Sequence, residues 1–265
     1  MTAILLALAG LTGLAVGSFL NVVVWRVPRD ESVVRPPSAC PSCGHAIRRR
    51  DNVPIVSWVA LRARCRDCGA RISARYPLVE GATAVLFVLA TWWALERPDG
   101  LWLLPVLWYL VAVGVALALI DVDTHRLPDR IVLPSYVVVA VLLVVASAGT
   151  GQWDAMLRAA IGMAALWLFY FTLVMVYPRG MGFGDVKLSG VLGMVLAWFG
   201  WGSLVVGAFA AFACGGLYGL VLIALRRAGR TSQVPFGPWM LLGAAIGIVA
   251  GPQIWTAYLG AALGT

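Results

Sequence analysis

The chain has 265 residues, of which 61% are hydrophobic and 12% charged, and its mean hydropathy is +0.89. Soluble domains are about 45–50% apolar and about 25% charged, so the composition excludes a soluble globular protein and indicates an integral membrane protein. Membrane topology and anionic lipid explain the net charge of +8, and no nucleic-acid partner is expected.

Eight apolar runs predict an all-α polytopic membrane protein with about eight transmembrane helices, because a lipid-exposed backbone must satisfy its own hydrogen bonds. The runs cover residues 3–24, 78–95, 101–120, 131–148, 157–176, 186–198, 203–225 and 238–260. The sixth is short, and Phe199-Gly200-Trp201-Gly202 predicts a tight hairpin into the seventh. Joined, these two runs would give about 40 residues, which is too long for one span.

The first run lacks a positive n-region and is too long for a signal peptide, so we expect a retained helix with its N-terminus outside. The sequence thus divides into a first transmembrane helix (1–25), a polar loop (26–77) and a seven-helix membrane core (78–265). No feature of the sequence indicates an oligomeric state.

Basic residues are distributed unevenly among the segments that join the apolar runs. Counted alternately from an external N-terminus, all of the 20 lysines and arginines except Arg97 and Arg158 fall on one side. An excess of this kind marks the cytoplasmic face, so the long polar loop is predicted to be cytoplasmic and close to membrane lipid.

Four cysteines in the polar loop follow the pattern C-x2-C, 21 residues, C-x2-C: Cys40, Cys43, Cys65 and Cys68. Four thiolates at this spacing predict a closed, structural zinc site, whose metal would supply folding energy to a loop with little core. Free thiols or a redox pair are the alternatives, and a cytosolic location disfavours disulfides. We expect His45 to be solvated and Cys214, in an apolar run, to serve packing.

The acids at the predicted cytoplasmic ends of the spans are the candidates for chemistry: Glu80, Asp121, Asp123, Asp129 and Asp185. Three have structural alternatives. Glu80 can satisfy a helix N-terminus, Asp129 can cap the fourth helix, and Asp123 can be solvated in the turn.

Asp121 and Asp185 are the strongest candidates. Asp121 directly follows the apolar residues 115–120, and Asp185 follows Gly182 and Gly184, which allow close backbone approach. If their carboxyls meet, repulsion would leave one ionised as a general base for water and one protonated to polarise a scissile carbonyl. That is peptide hydrolysis without a covalent intermediate. An ion or proton pathway and structural capping are the alternatives.

The same residues carry a family resemblance. Residues 182–185 form a G-x-G-D motif, and with residues 121–129 (DVDTHRLPD) they resemble the type IV prepilin peptidases. Residues 17–22, 26–28, 75–80 and 235–238 and both C-x-x-C pairs are also similar to this family, so the resemblance covers nearly the whole chain.

The resemblance implies a membrane aspartyl protease of the bacterial inner membrane that cleaves prepilins and pseudopilins at the cytoplasmic face, serving type IV pili and protein secretion. It implies that Asp121 and Asp185 are catalytic and that other motif residues are supporting: Glu80, Asp123, Asp129, Gly182, Gly184 and Lys187. Lys187 would tune Asp185 or anchor at lipid headgroups.

The four cysteines indicate the longer, bifunctional branch, which also methylates the new N-terminus with S-adenosylmethionine. No soluble-type G-x-G-x-x-G context is present, so the methyl donor is expected between the zinc loop and the helices, near Glu80. A presenilin-type protease, a proton-coupled transporter and a zinc-dependent scaffold are the rival functions, and cleavage of a pilin precursor discriminates among them.

Overall fold

The computed structural model describes residues 1–178, 180–226 and 234–263. Three of the basic residues predicted to be cytoplasmic, Arg179, Arg227 and Arg230, lie outside these ranges. Within them the regular structure is helical, and the only β-type pairings are two isolated bridges in the polar loop. The predicted all-α class is therefore confirmed.

The described residues form nine α-helices. They are α1 (Thr2–Arg26), α2 (Val56–Ala60), α3 (Arg75–Leu95), α4 (Leu104–Thr124), α5 (Asp129–Thr150), α6 (Asp154–Val176), α7 (Phe183–Phe199), α8 (Trp201–Ala224) and α9 (Gly237–Leu263). Eight of these coincide with the eight apolar runs, whereas the short α2 lies in the polar loop, where no helix was predicted.

Seven of the long helices have the length and apolar composition to cross a membrane. The eighth, α7, has 17 residues, which is at the lower limit of roughly 17–25 for a spanning helix. Its length is explained by its surroundings, because 13 of its 17 residues are buried in protein.

The chain forms two compact units, Met1–Ala116 and Leu117–Thr265. In the first unit, α1 packs along α3 with glycines at the contact. A Cβ added to Gly13 would lie 2.6 Å from the Ala84 Cα, and one added to Gly17 would lie 2.7 Å from the Glu80 Cα. Small residues therefore bring these two helix backbones together, as they do in membrane helix pairs generally.

In the second unit, α7 contacts α5, α6, α8 and α9. At the α6–α7 contact, a Cβ on Gly193 would lie 2.8 Å from the Leu166 Cβ and 3.1 Å from the Gly162 carbonyl carbon. The α7 backbone therefore lies directly against α6. The helix that carries Asp185 is thus an internal element of this unit.

The C-terminal end of α7 is held by a side chain from α6. The Arg158 guanidinium donates hydrogen bonds to the carbonyls of Ala197 (2.6 Å) and Trp198 (2.7 Å) in the last turn of α7, and Ala197 also accepts the N–H of Gly200. Gly200 then turns the chain into α8 with a φ of 142°, a region that favours glycine. The predicted hairpin between the sixth and seventh runs is confirmed.

Gly193→Ala tests the α6–α7 contact. We expect the substitution to cost about 1–3 kcal/mol, because the added methyl group overpacks a contact between two backbones. The melting temperature of the detergent-solubilised protein should fall by several degrees. Gly219→Ala in α8 is the matched control, since a Cβ there meets nothing within 4 Å. Equal melting temperatures for the two variants would contradict this packing.

Candidate active site

Asp121 lies near the end of α4 and is buried, with 5% of its surface exposed. Its Oδ2 atom accepts a hydrogen bond of 2.9 Å from the backbone N–H of Gly237. Gly237 is the first residue of α9, so the carboxylate faces the positive end of a 27-residue helix. A buried carboxylate needs such a donor, and α9 supplies it.

Asp185 is the third residue of α7 and is also buried, at 8% exposure. Its Oδ2 accepts the backbone N–H of Gly182 at 3.1 Å, while its own N–H donates to the Gly182 carbonyl at 3.1 Å. This reciprocal pair begins the helix. Both aspartates therefore bind a backbone N–H at a helix N-terminus.

Leu127 packs against the segments that carry both aspartates. A Cβ on Gly184 would lie 3.0 Å from the Leu127 Cβ, and one on Gly237 would lie 3.3 Å from the Leu127 Cδ2 and 2.8 Å from the Asp121 Oδ2. Gly184 directly precedes Asp185, and Gly237 donates its N–H to Asp121, so Leu127 contacts the immediate neighbours of both carboxyls. Leu127 thus connects the beginning of α7, which carries Asp185, with the beginning of α9, which binds Asp121, and glycine at positions 184 and 237 allows these close contacts.

Lys187 pairs with Asp129 and thereby links α7 to α5. Its Nζ lies 2.8 Å from each Asp129 carboxylate oxygen. The Tyr136 hydroxyl, also from α5, donates a 2.6 Å hydrogen bond to the Lys187 carbonyl. Asp129 is the first residue of α5, and its carboxylate binds the lysine, while Asp123 is exposed at the end of α4. These contacts hold the beginning of α7, two residues from Asp185.

Three aromatic side chains border the site, and none of them was predicted from the sequence as a site residue. Phe236 immediately precedes Gly237, and its ring lies 5.2 Å from that of Phe212 and 6.3 Å from that of Tyr170. Phe236 therefore anchors the segment whose next residue binds Asp121. Its motif was visible at residues 235–238, whereas Tyr170 lies in an apolar run with no distinguishing signal.

The four loop cysteines converge, with their sulfurs all within 4.8 Å of one another. The Sγ atoms of Cys40 and Cys68 are 3.8 Å apart. A tetrahedral ion with bonds of about 2.3 Å would place its sulfurs roughly 3.8 Å from one another. The group can therefore hold a metal ion of this size. His45 and Cys214 do not belong to it.

Each cysteine pair is presented by the same type of turn. The N–H of Gly44 donates to the Cys40 carbonyl, and the N–H of Gly69 donates to the Cys65 carbonyl, both at 2.9 Å. These glycines have φ values of +73° and +71°. The backbone N–H groups of Cys43 and Ser42 lower the pKa of Cys40 to about 6, whereas the pKa of Cys68 is raised by desolvation and by the neighbouring sulfurs, so Cys40 offers a thiolate to a metal more readily than Cys68.

Two ion pairs join the second cysteine turn to the segment around residues 48–51. Arg66 binds Asp51 through two hydrogen bonds (2.9 and 2.7 Å), and Arg48 binds Asp67 at 2.9 Å. The Arg66 hydrogen bonds lower the pKa of Asp51. Exposed pairs contribute little individually, so they orient the loop more than they stabilise it.

Glu80 is buried in α3, and its Oε2 accepts the backbone N–H of Ile55 at 2.7 Å. Ile55 is the residue from which α2 begins, so Glu80 satisfies the N-terminus of α2 rather than that of its own helix. Asn21 of α1 adds a 3.3 Å hydrogen bond to the Tyr76 carbonyl. Glu80 therefore attaches the polar loop to α3.

Comparison with known proteins places both halves of the chain in peptidase families. Residues 11–94 match the bacterial Peptidase A24 N-terminal domain, and residues 108–220 match the type IV leader peptidase family. No solved structure matches the chain.

Several curated proteins are similar over most of their length. The chain is 36% identical to a prepilin leader peptidase/N-methyltransferase of Pseudomonas putida, over 94% of this chain and 92% of that protein. It is also 36% identical to the protein of that name from Pseudomonas aeruginosa, over 94% and 91%. A type 4 prepilin-like proteins leader peptide-processing enzyme of Escherichia coli is 45% identical over 46% of this chain and 51% of that protein.

Glu80→Ala tests the attachment of the polar loop. Removing the carboxylate leaves the Ile55 N–H without its acceptor, and hydrogen bonds to charged groups are worth about 1.5–3 kcal/mol. We expect amide hydrogen exchange in residues 55–60 to accelerate at least roughly tenfold. Glu80→Gln is the control, because its carbonyl oxygen can still accept the bond. Unchanged exchange in Glu80→Ala would exclude this role.

Proposed function

The chain belongs to the type IV leader peptidase family, and on that premise we propose that it is a prepilin peptidase with N-methyltransferase activity. It cleaves the leader peptide from prepilins and pseudopilins and then methylates the new N-terminal amine. The observation that supports this most directly is the single buried site shared by Asp121 and Asp185, each bound to a helix N-terminus.

Asp121 and Asp185 are the catalytic pair, sharing one proton. The ionised carboxylate takes a proton from water, whose oxygen attacks the scissile carbonyl carbon, while the protonated partner donates its proton to the carbonyl oxygen. The tetrahedral intermediate then collapses and the C–N bond breaks. The leaving nitrogen receives the proton that the first carboxylate took from water, and a hydroxyl of the intermediate returns a proton to the second carboxylate as the product carboxyl group forms. No covalent enzyme intermediate forms.

The glycines of the G-x-G-D motif have different tasks. Gly184 allows a close contact with Leu127, because a Cβ there would lie 3.0 Å from the Leu127 Cβ. A Cβ on Gly182 would lie 3.6 Å from the Asp185 Oδ2, so a side chain there would cover part of the carboxylate. Gly182 therefore leaves this face open to an extended substrate strand. Asp129 and Lys187 support the site through the beginning of α7, and the exposed Asp123 lies at its rim.

We propose that the enzyme lies in the bacterial inner membrane, with its N-terminus outside and its active site on the cytoplasmic side. The distribution of basic residues supports this orientation. The two basic residues on the other side of the membrane have local partners. Arg158 binds the end of α7, and the Arg97 guanidinium stacks 3.3 Å from the Trp93 ring centre. The apolar stem of a prepilin would lie in the membrane beside the helices, presenting its leader junction to the aspartates.

The metal bound by Cys40, Cys43, Cys65 and Cys68 is zinc, and its role is structural. Four protein ligands leave no open position for substrate or water. S-adenosylmethionine is the methyl donor. We propose its site between the polar loop and the helices, near Glu80.

Asp121→Asn and Asp185→Asn test the peptidase. Each variant should lower cleavage of a detergent-solubilised prepilin at least roughly a hundredfold, because asparagine cannot transfer the proton. Asp154→Asn, at the opposite end of the membrane core, is the control and should cleave normally. Melting temperatures close to that of the wild type would show that the inactive variants are folded.

Normal cleavage by both folded variants would exclude the aspartyl mechanism. The same reaction, supplied with S-adenosylmethionine labelled in its methyl group, should label the cleaved pilin. A product that stays unlabelled while cleavage is complete would exclude the methyltransferase activity.

Cys65→Ser tests the zinc site. The purified wild type should contain about one zinc ion per chain, measured by mass spectrometry of the metal, and the variant should lose most of it, since a serine hydroxyl is a poor substitute for a thiolate. Cys214→Ser is the matched control and should retain zinc. A full zinc content in Cys65→Ser would contradict the four-cysteine site.

A further inference from the structure

The short helix α2 gives the polar loop an exposed apolar surface. Val56 and Val59 lie one turn apart on α2 and are 63% and 61% exposed, and Val53, just before the helix, is 46% exposed. Residues at i and i+3 share one face of a helix. We call these three side chains the valine surface. Clustered valines in a segment that is otherwise polar are unfavourable in water, so this surface points to an apolar partner.

Hydrogen bonds on the other side of α2 hold the valine surface outward. Ser57 is buried, and its hydroxyl donates to the Arg50 carbonyl at 3.2 Å and accepts the Val53 N–H at 3.0 Å. The Trp58 indole N–H donates a 3.2 Å hydrogen bond to the Ile72 carbonyl. These contacts attach the polar side of α2 to the rest of the loop and leave the valines uncovered.

The contact with α3 places α2 at the depth of a membrane surface. The 21 residues of α3 are about as long as the hydrocarbon layer is thick. Glu80 is the sixth of them and lies about 7.5 Å along the axis from the first. Glu80 accepts the Ile55 N–H at 2.7 Å, and a Cβ on Gly81 would lie 3.7 Å from the Ile55 Cδ1. The beginning of α2 is therefore level with the first turns of a spanning helix, where amphipathic segments bind lipid.

Exposed arginines flank the valine surface in the sequence on both sides, Arg49 and Arg50 before it and Arg62 and Arg64 after it. None of the four forms an ion pair with a residue that the structure describes, whereas Arg66 of the same loop pairs with Asp51. Free guanidinium groups beside an apolar face fit an anionic lipid surface, because the phosphates bind the arginines while the apolar side chains enter the acyl region.

We propose that the valine surface is a membrane-binding surface, which inserts into an anionic leaflet beside α3 while the flanking arginines bind lipid phosphates. The loop that carries the four cysteines is then attached to the bilayer through its own side chains as well as through Glu80. This attachment restricts how far the loop moves away from the helices. The proposal does not depend on the peptidase function.

Spin labels at positions 56 and 59 test the insertion. Val56→p-acetylphenylalanine or Val59→p-acetylphenylalanine in the full chain can be coupled to a nitroxide through the ketone, which leaves the cysteines unmodified. In nanodiscs containing phosphatidylglycerol, these labels should collide with oxygen and be shielded from a water-soluble nickel chelate. The ratio of the two accessibilities should be at least roughly fivefold higher than at Ser42, an exposed residue of the first cysteine turn and the matched control.

The double variant Arg62→Gln and Arg64→Gln tests the role of charge. It should lower the accessibility ratio at position 56 at least about twofold in anionic nanodiscs and leave it unchanged in nanodiscs of neutral phosphatidylcholine. A ratio that is equal in both lipids for the unsubstituted loop would overturn the role of the arginines.

Nickel accessibility at positions 56 and 59 equal to that at position 42 would overturn the insertion itself. Shielding that develops only after a prepilin is added would overturn it too, because the valine surface would then bind a protein rather than lipid.

Discussion

Two carboxylates buried in an apolar helix bundle must each have a hydrogen-bond donor, and the rest of this site depends on how that requirement is met. Asp185 binds the N–H of Gly182 at the beginning of its own helix, and Asp121 binds the N–H of Gly237 at the beginning of α9. Helix N-termini present unpaired N–H groups and favour negative charge. The backbone therefore stabilises two acids in surroundings where charges are otherwise costly.

The position of α7 follows from this arrangement. Because Asp185 is its third residue, any shift of the helix along its axis would move the Asp185 carboxylate away from its neighbours. The helix is held near its beginning by Lys187 and Tyr136 contacts with α5, and at its end by Arg158 from α6. Glycine contacts with α6 bring the backbones together along its length. A short, largely buried helix held at both ends is thus a rigid support for Asp185.

The polar loop has a different source of stability from the helices. A segment of this size has little apolar core, and its four converging cysteines can hold one metal ion, whose binding would replace hydrophobic burial as the source of stability. Its two glycine turns have the same hydrogen-bond pattern, in which a glycine N–H binds the carbonyl of the cysteine four residues earlier. Glu80 joins the loop to α3 by accepting the Ile55 N–H, so this one partly buried hydrogen bond connects a membrane helix with the cysteine-containing segment.

The sequence by itself determined the eight helices, the hairpin at Gly200, the cysteine cluster and the family to which the two aspartates point. These features depend on short-range physics, namely apolar length, backbone hydrogen bonding and the geometry of C-x-x-C-G turns. Only the tertiary structure decided that Gly237 binds Asp121 across 116 residues, that Lys187 pairs with Asp129, and that Tyr170 borders the site. Those contacts depend on which helix faces pack together. A run that is hydrophobic on all sides does not indicate which other helices it packs against.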